Sequence, residues 1–205
     1  MTGAADRRLL LQLARDAIVA HVTAPRASTI ESTIESTIES TIESAIESAI
    51  ESAIRNPQSA ILARPGGAFV TLHKRGDLRG CIGHIEPTEP LGKVVPRCAV
   101  AACRSDPRFP PVAVGELDAI DIEISLLGPL EPIAGPPDIV VGRDGLVVER
   151  GWQRGLLLPQ VAAEWGWDAG MFLAHTCQKA GLPQDAWRKD VKLWRFEAEV
   201  FGEGR

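Results

Sequence analysis

The sequence predicts an α+β fold in which helices flank a mostly antiparallel sheet. Three observations carry that prediction. Short runs alternate apolar and polar residues with period two, segments with helical spacing lie between them, and no strand-helix-strand repetition is present. With 205 residues, 45% of them hydrophobic, the chain can bury one sizeable core, or a core with a small satellite.

The elements follow in chain order. From Asp6 to about His21, Leu10, Leu13, Ala14, Ala17 and Ile18 recur at helical spacing opposite Arg7, Arg8, Arg15 and Asp16, which reads as an amphipathic helix ending before Pro25. Thr-Ile-Glu-Ser then repeats four times from Thr29 to Ser44 and Ala-Ile-Glu-Ser twice more, ending in Ala53-Ile54. A four-residue period advances about 40° per repeat on a helix, so the isoleucines spiral instead of forming a seam. Glutamates stacked at i,i+4 repel one another. Residues 28-54 therefore read as an insertion in a surface loop in preference to a self-association helix. An extended chain would put every Ile of the tract on one face, an aggregation hazard.

After Pro65-Gly66-Gly67, Ala68 to Leu72 reads as a strand. The turn Lys74-Arg75-Gly76-Asp77 returns Leu78 to Ile85 antiparallel to it. Thr88 is placed to cap a helix to about Arg104, with Leu91, Val94, Val95, Cys98, Ala101 and Ala102 inward and Pro96 as a kink or a delayed start. Asp106-Pro107-Arg108-Phe109-Pro110-Pro111 excludes helix. Ile120, Ile122, Ile124 and Leu126 alternate with Asp121, Glu123 and Ser125 in the cleanest strand of the chain. Ile139 to Val141 and Leu146 to Val148 are expected to pair around an Arg143-Asp144-Gly145 turn. Asp168 is expected to cap a helix through Ala180, stopped by Gly181. A closing strand has Trp194, Phe196, Ala198 and Val200 on one face.

Composition narrows the function classes. The net charge is -5, Lys and Arg are scattered singly, Tyr is absent and aromatics make up 5%, so nucleic acid is a disfavoured partner. No apolar run approaches the roughly 18 to 20 residues a bilayer span needs, and the first residues lack a signal-peptide layout, so a cytoplasmic protein with no membrane partner is expected. Cys81, Cys98, Cys103 and Cys177 are then expected to be reduced. No Gly-rich phosphate loop follows a strand. Cys98 and Cys103, five apart on a helix, lie about 140° from each other and so make a poor chelating pair beside Cys81 and His84. No metal and no cofactor are expected.

Chemistry concentrates at Leu78-Arg79-Gly80-Cys81-Ile82-Gly83-His84. A cation beside a cysteine favours its thiolate, as a nucleophilic or redox thiol requires, and glycines allow a ligand or a second backbone to approach. Strand alternation points Arg79, Cys81 and Gly83 to one face and His84 to the other. Three readings of Cys81 stay open: a small core residue with glycines making room for the following helix, a binding group, or a reactive thiol. Asp106 with Arg108, Arg143 with Asp144, and Glu123 are polar groups able to line a cleft.

Taken together, Leu78-Arg79-Gly80-Cys81-Ile82-Gly83, Asp106-Pro107-Arg108-Phe109, Glu123-Ile124-Ser125, Gly142-Arg143-Asp144-Gly145-Leu146, Leu157-Leu158-Pro159-Gln160-Val161 and Lys179-Ala180-Gly181-Leu182 closely resemble the AMMECR domain family, whose prokaryotic members are called AmmeMemoRadiSam system protein A. The resemblance runs from Arg7 to Phe201, with the repeat as the departure. It implies one domain of a larger and a smaller subdomain, with the cysteine motif beside a cleft between them. It also implies genetic association with a Memo-type protein and with a radical SAM protein that carries its own cluster. It supplies no reaction. The resulting expectation is a thiol-dependent catalytic site with Cys81 as nucleophile or redox thiol and Arg79 favouring its thiolate. Gly80, Gly83, Arg108, Arg143 and Glu123 would contact an unknown small molecule. The alternative is a non-catalytic adaptor for the same partners.

Overall fold

The computed structural model describes residues 2–24 and 60–204. The tetrapeptide repeat lies outside the described residues. The chain divides into two compact units: unit 1 contains residues 1–126 and 199–205, and unit 2 contains residues 127–198. The architecture is α+β, and the strand pairings are antiparallel.

Unit 1 begins with α1 (Ala4–Thr23), followed by the single-turn α2 (Ala60–Ala63). Strands β1 (Ala68–Lys74) and β2 (Asp77–His84) form the expected hairpin, because Arg75 and Gly76 both adopt positive φ (55° and 89°), as a two-residue primed turn requires. Helix α3 (Leu91–Arg104) and β3 (Ile120–Leu127) complete the framework, and β2 is the outermost of the three strands in the order β2-β1-β3. Alternation puts Ala68, Val70 and Leu72 of β1 and Ile120, Ile122, Ile124 and Leu126 of β3 on one face. There they pack against Leu10, Ala14 and Ile18 of α1 and Val94, Val95, Cys98 and Ala102 of α3. Burying each large aliphatic side chain here contributes about 1.5–3 kcal/mol.

Two details of α3 differ from expectation. Thr88 makes no cap; Pro90 occupies that position, and the helix entry is held by Leu91 N–H donating to the Arg64 carbonyl (2.9 Å) and Gly66 N–H donating to Glu89 (3.2 Å). Cys103 is buried and Ala101 half-buried, because the segment after the helix returns across it, Val112 N–H donating to the Cys103 carbonyl at 2.8 Å. Pro96 lies inside the helix and is buried.

Unit 2 contains β4 (Glu131–Pro132), β5 (Asp144–Arg150), β6 (Gln153–Leu157), α4 (Pro159–Glu164), α5 (Ala169–Lys179) and the first part of β7 (Lys192–Gly202). Helix α5 behaves as its sequence dictates: Asp168 accepts the Met171 N–H at 2.7 Å, Phe172, Leu173, Thr176 and Cys177 are buried, and Gly181 (φ 73°) ends it.

The expected Ile139–Val148 hairpin is not formed. Ile139–Val141 is not a strand, and β5 pairs with β6 through Gly151 (φ 62°), Val148 facing Gly155. The Asp144-Gly145 dipeptide reads as a turn, yet Asp144 is 1% exposed and accepts the Val140 N–H at 2.8 Å. Gly145 lies under the Phe196 ring, which a Cβ would meet at 2.3 Å. The closing strand forms as expected and is buried on both sides. On the odd positions Leu193 belongs to the unit 2 core and Phe201 to the unit 1 core, while Phe196 is buried on the other side over Gly145.

Candidate functional site

The site is built at the outer edge of β2 in unit 1. Between Leu72 and His73 the β1–β2 register shifts, so His73 faces Leu78, Leu72 faces Gly80, and Arg79 is the extra residue of a bulge. The shift brings Cys81 opposite Thr71. Thr71 faces Glu123 on β3, so Cys81, Thr71 and Glu123 occupy one row across three strands, on the face away from the core.

Cys81 is half-buried and its sulfur accepts a hydrogen bond from Thr71 Oγ1 at 3.2 Å. Its backbone N–H donates to Asp106 Oδ2 at 2.8 Å. Asp106 is 4% exposed and gathers further donors from Arg108: the backbone N–H at 3.1 Å, Nε at 2.9 Å and Nη2 at 2.6 Å. Arg108, with half its side chain exposed, also places Nη2 3.5 Å from the Cys81 carbonyl and its guanidinium 5.5 Å from the Phe109 ring. The hydrogen bonds from Arg108, with those from the Cys81 and Arg108 amides, hold the Asp106 carboxyl well below the usual carboxylate range against the cost of burial.

The electrostatics of Cys81 run against a preformed thiolate. Burial pushes its thiol above the ordinary value. The Thr71 hydroxyl and the Arg108 charge pull it down, while Asp106 and Glu123 add to the rise. Cys98 and Cys103 are pushed to about 11 by burial and are structural thiols, Cys103 donating to the Val100 carbonyl at 3.1 Å. Among the described residues no group of three or more His, Cys, Asp and Glu is arranged to hold a metal ion.

Arg79 is placed differently from the alternation argument. At the bulge its side chain is 11% exposed and bound by Glu116 (Nε to Oε1 3.1 Å, Nη2 to Oε2 3.0 Å) and by the Pro110 carbonyl (2.9 Å). Glu116 also takes Lys74 at 2.8 Å and is held down to about 2 by Arg79, the Ala113 N–H and Lys74. Arg79 thus locks the 110–116 segment onto the hairpin, and the cation acting on Cys81 is Arg108.

The glycines of the motif are occupied by packing. A Cβ on Gly80 would stand 2.2 Å from the Ala102 carbonyl oxygen of α3, and one on Gly83 would stand 2.3 Å from the Phe69 ring. His84 faces Ala68 across the hairpin and keeps Nε2 3.9 Å from Glu89 Oε1. Arg143 belongs to unit 2, where Asp144 binds its Nε at 2.7 Å and its Nη2 at 3.0 Å.

Cys81, Arg108 and Glu123 are therefore brought together in unit 1, and Arg79 stands behind them as a brace. Thr71 and Glu116 are site residues that pattern reading missed. Counting back from the two-residue turn without a bulge would put Thr71 opposite Gly80, so no local signal pairs it with Cys81.

With this geometry in place, comparison with known proteins decides the family. The AMMECR1 family profile matches residues 11–201, which includes every residue of the site. The chain belongs to the AMMECR1 family. Among relatives of this AMMECR1 chain, a protein of Methanothermobacter thermautotrophicus is 56% identical over 144 residues, covering 67% of this chain and 75% of the relative. A protein of Thermococcus gammatolerans is 53% identical over 148 residues, covering 67% and 72%. The crystal structure of the uncharacterized protein PH0010 from Pyrococcus horikoshii superposes with a TM-score of 0.73 at 40% identity, covering 95% of this chain and 90% of that one. No helix among the described residues is long and apolar enough to cross a membrane.

Proposed function

We propose that this AMMECR1 domain is a binding module whose β2 edge recognises a partner, with Cys81 lining the contact as a neutral thiol. The observation that carries the reading is the environment of the sulfur. Burial raises its pKa, and its nearest cation, Arg108, is already paired to Asp106. What this arrangement offers to a partner is the exposed side of the Arg108 guanidinium, fixed by Asp106 and backed by Phe109, beside the thiol and Glu123. The Memo-type and radical SAM proteins suggested by family resemblance are the partners to test, in the compartment where they reside.

The experiment is calorimetric titration of the full chain with each of those proteins. Cys81→Ser is expected to bind within about twofold of the parent, whereas Arg108→Ala weakens binding by about tenfold or more, the loss of one anchored arginine contact. Wild-type affinity in Arg108→Ala would overturn the reading.

One observation favours a second reading, thiol-dependent catalysis: the Thr71 hydroxyl donates to Cys81 Sγ, a contact that stabilises negative charge on sulfur. On that reading Cys81→Ser abolishes function in cells while leaving complex formation intact, and small-molecule substrate contacts fall to Arg108 and Glu123.

A further inference from the structure

Unit 2 carries a cavity of about 400 Å³ between the exposed face of α5 and the single 3-10 turn Ala186–Arg188. One wall is the Trp187 indole, which packs inward against the unit 2 core. Asp168, Met171, Gln184, Asp185 and Arg188 complete the lining that matters chemically.

Three features point to one class of ligand. The Arg188 guanidinium lies 4.7 Å from the Trp187 ring centroid, so the aromatic wall already holds a cation supplied by the chain itself. Two carboxylates line the cavity against that one guanidinium, and among the described residues neither Asp168 nor Asp185 has an ion-pair partner. Asp168 meanwhile is fixed in place by capping α5 through Met171 N–H at 2.7 Å. Met171, part of the lining, is 48% exposed and with the Trp187 indole gives the cavity an apolar side. An indole and a thioether beside two carboxylates suit an amphipathic group with a cationic end.

We infer that this cavity receives the cationic side chain, arginine or lysine, of a partner polypeptide segment. The aliphatic stem lies against Met171 and Trp187, and the charged head meets Asp168 and Asp185. Arg188 occupies the indole face in the free protein and yields it to the incoming cation. This site lies wholly in unit 2 and does not depend on the reading of Cys81.

The test uses the full chain and the peptide acetyl-Ala-Arg-Ala-amide, with citrulline and glutamate peptides as neutral and acidic controls, followed by NMR of the Trp187 indole N–H. The arginine peptide is expected to shift that resonance saturably. The citrulline peptide should bind about tenfold more weakly, since it keeps the shape and loses the charge. Arg188→Ala, which frees the indole face without touching the core, should bind the arginine peptide about threefold tighter or better. Asp168→Asn with Asp185→Asn should lose most of the affinity while α5 stays folded, because asparagine caps a helix nearly as well as aspartate. The inference is overturned by the absence of a saturable shift, by equal binding of the citrulline peptide, by preference for the glutamate peptide, or by weaker binding in Arg188→Ala.

Discussion

Two aspartate–arginine pairs in this molecule use the same device to different ends. In unit 1, Asp106 is 4% exposed, accepts a backbone N–H at 2.8 Å and grips a half-exposed Arg108. In unit 2, Asp144 is 1% exposed, accepts a backbone N–H at 2.8 Å and grips a half-exposed Arg143. The hydrogen bonds of Asp144 stay local, to Val140 and Arg143, with Arg195 of β7 at 3.9 Å, and so close its own turn onto β5. Asp106 instead reaches 25 residues along the chain, to the strand that carries the thiol, and sets an arginine beside it. The pair by itself therefore does not mark a functional site. What distinguishes the two is whether the carboxylate holds its own turn or a distant strand.

Removing each carboxylate separates the two roles and gives the largest expected effects. Asp106→Ala and Asp144→Ala each leave a part-buried N–H unpaired and remove the carboxylate that an arginine bonds, and each should cost about 2–4 kcal/mol by denaturant unfolding. Only Asp106→Ala should also change the alkylation rate of Cys81. If Asp144→Ala changed that rate equally, the division of labour drawn here would fail.

The motif glycines come next. Gly80→Ala pushes a methyl group onto the Ala102 backbone and should cost about 1–3 kcal/mol. Gly83→Ala meets the Phe69 side chain, which can turn, and should cost less. A Gly80→Ala protein with unchanged stability would show that α3 can move off β2 freely.

Acid gives a third handle. Asp106, Glu116 and Asp144 are all held below their ordinary pKa, so the folded protein binds fewer protons than the unfolded chain. The stability they contribute is present above about pH 4 and is lost as the pH falls from there toward 2. In Asp106→Asn the acid limb of a stability profile should be shallower by one group's contribution, and a superimposable limb would contradict the pairing. The smallest effect is expected for Thr71→Val, under about 1 kcal/mol, with the Cys81 thiol moving further up as it loses its donor.

Periodicity and turn residues in the sequence were enough to identify α1, the β1–β2 hairpin, β3 and the Asp168-capped α5, because each rests on residues close in the chain. The Asp144-Gly145 turn misled because both residues serve tertiary needs: a carboxylate turned inward to Val140 and a missing side chain under Phe196. The closing strand β7 was legible as well, with Phe196 of the alternating set buried; the burial of Leu193 and Phe201 on the opposite side had no counterpart in that pattern. Within the site, Cys81, Arg108 and Glu123 were visible as motif residues. Thr71 and Glu116 were not, and Arg79 was given the thiol as a partner, because a one-residue bulge resets the register and sends the Arg79 side chain to Glu116. A bulge of this kind has no signature in composition or spacing.

The reading of Cys81 as a neutral lining thiol is open to a direct test. Site-resolved iodoacetamide alkylation, followed by mass spectrometry from pH 6 to 10, tests it most directly. A midpoint for Cys81 above the ordinary thiol value of about 8.5 is expected, rising in Thr71→Val and in Arg108→Ala. A midpoint below about 7.5, the range of activated cysteines, would contradict it and return the site to thiolate chemistry.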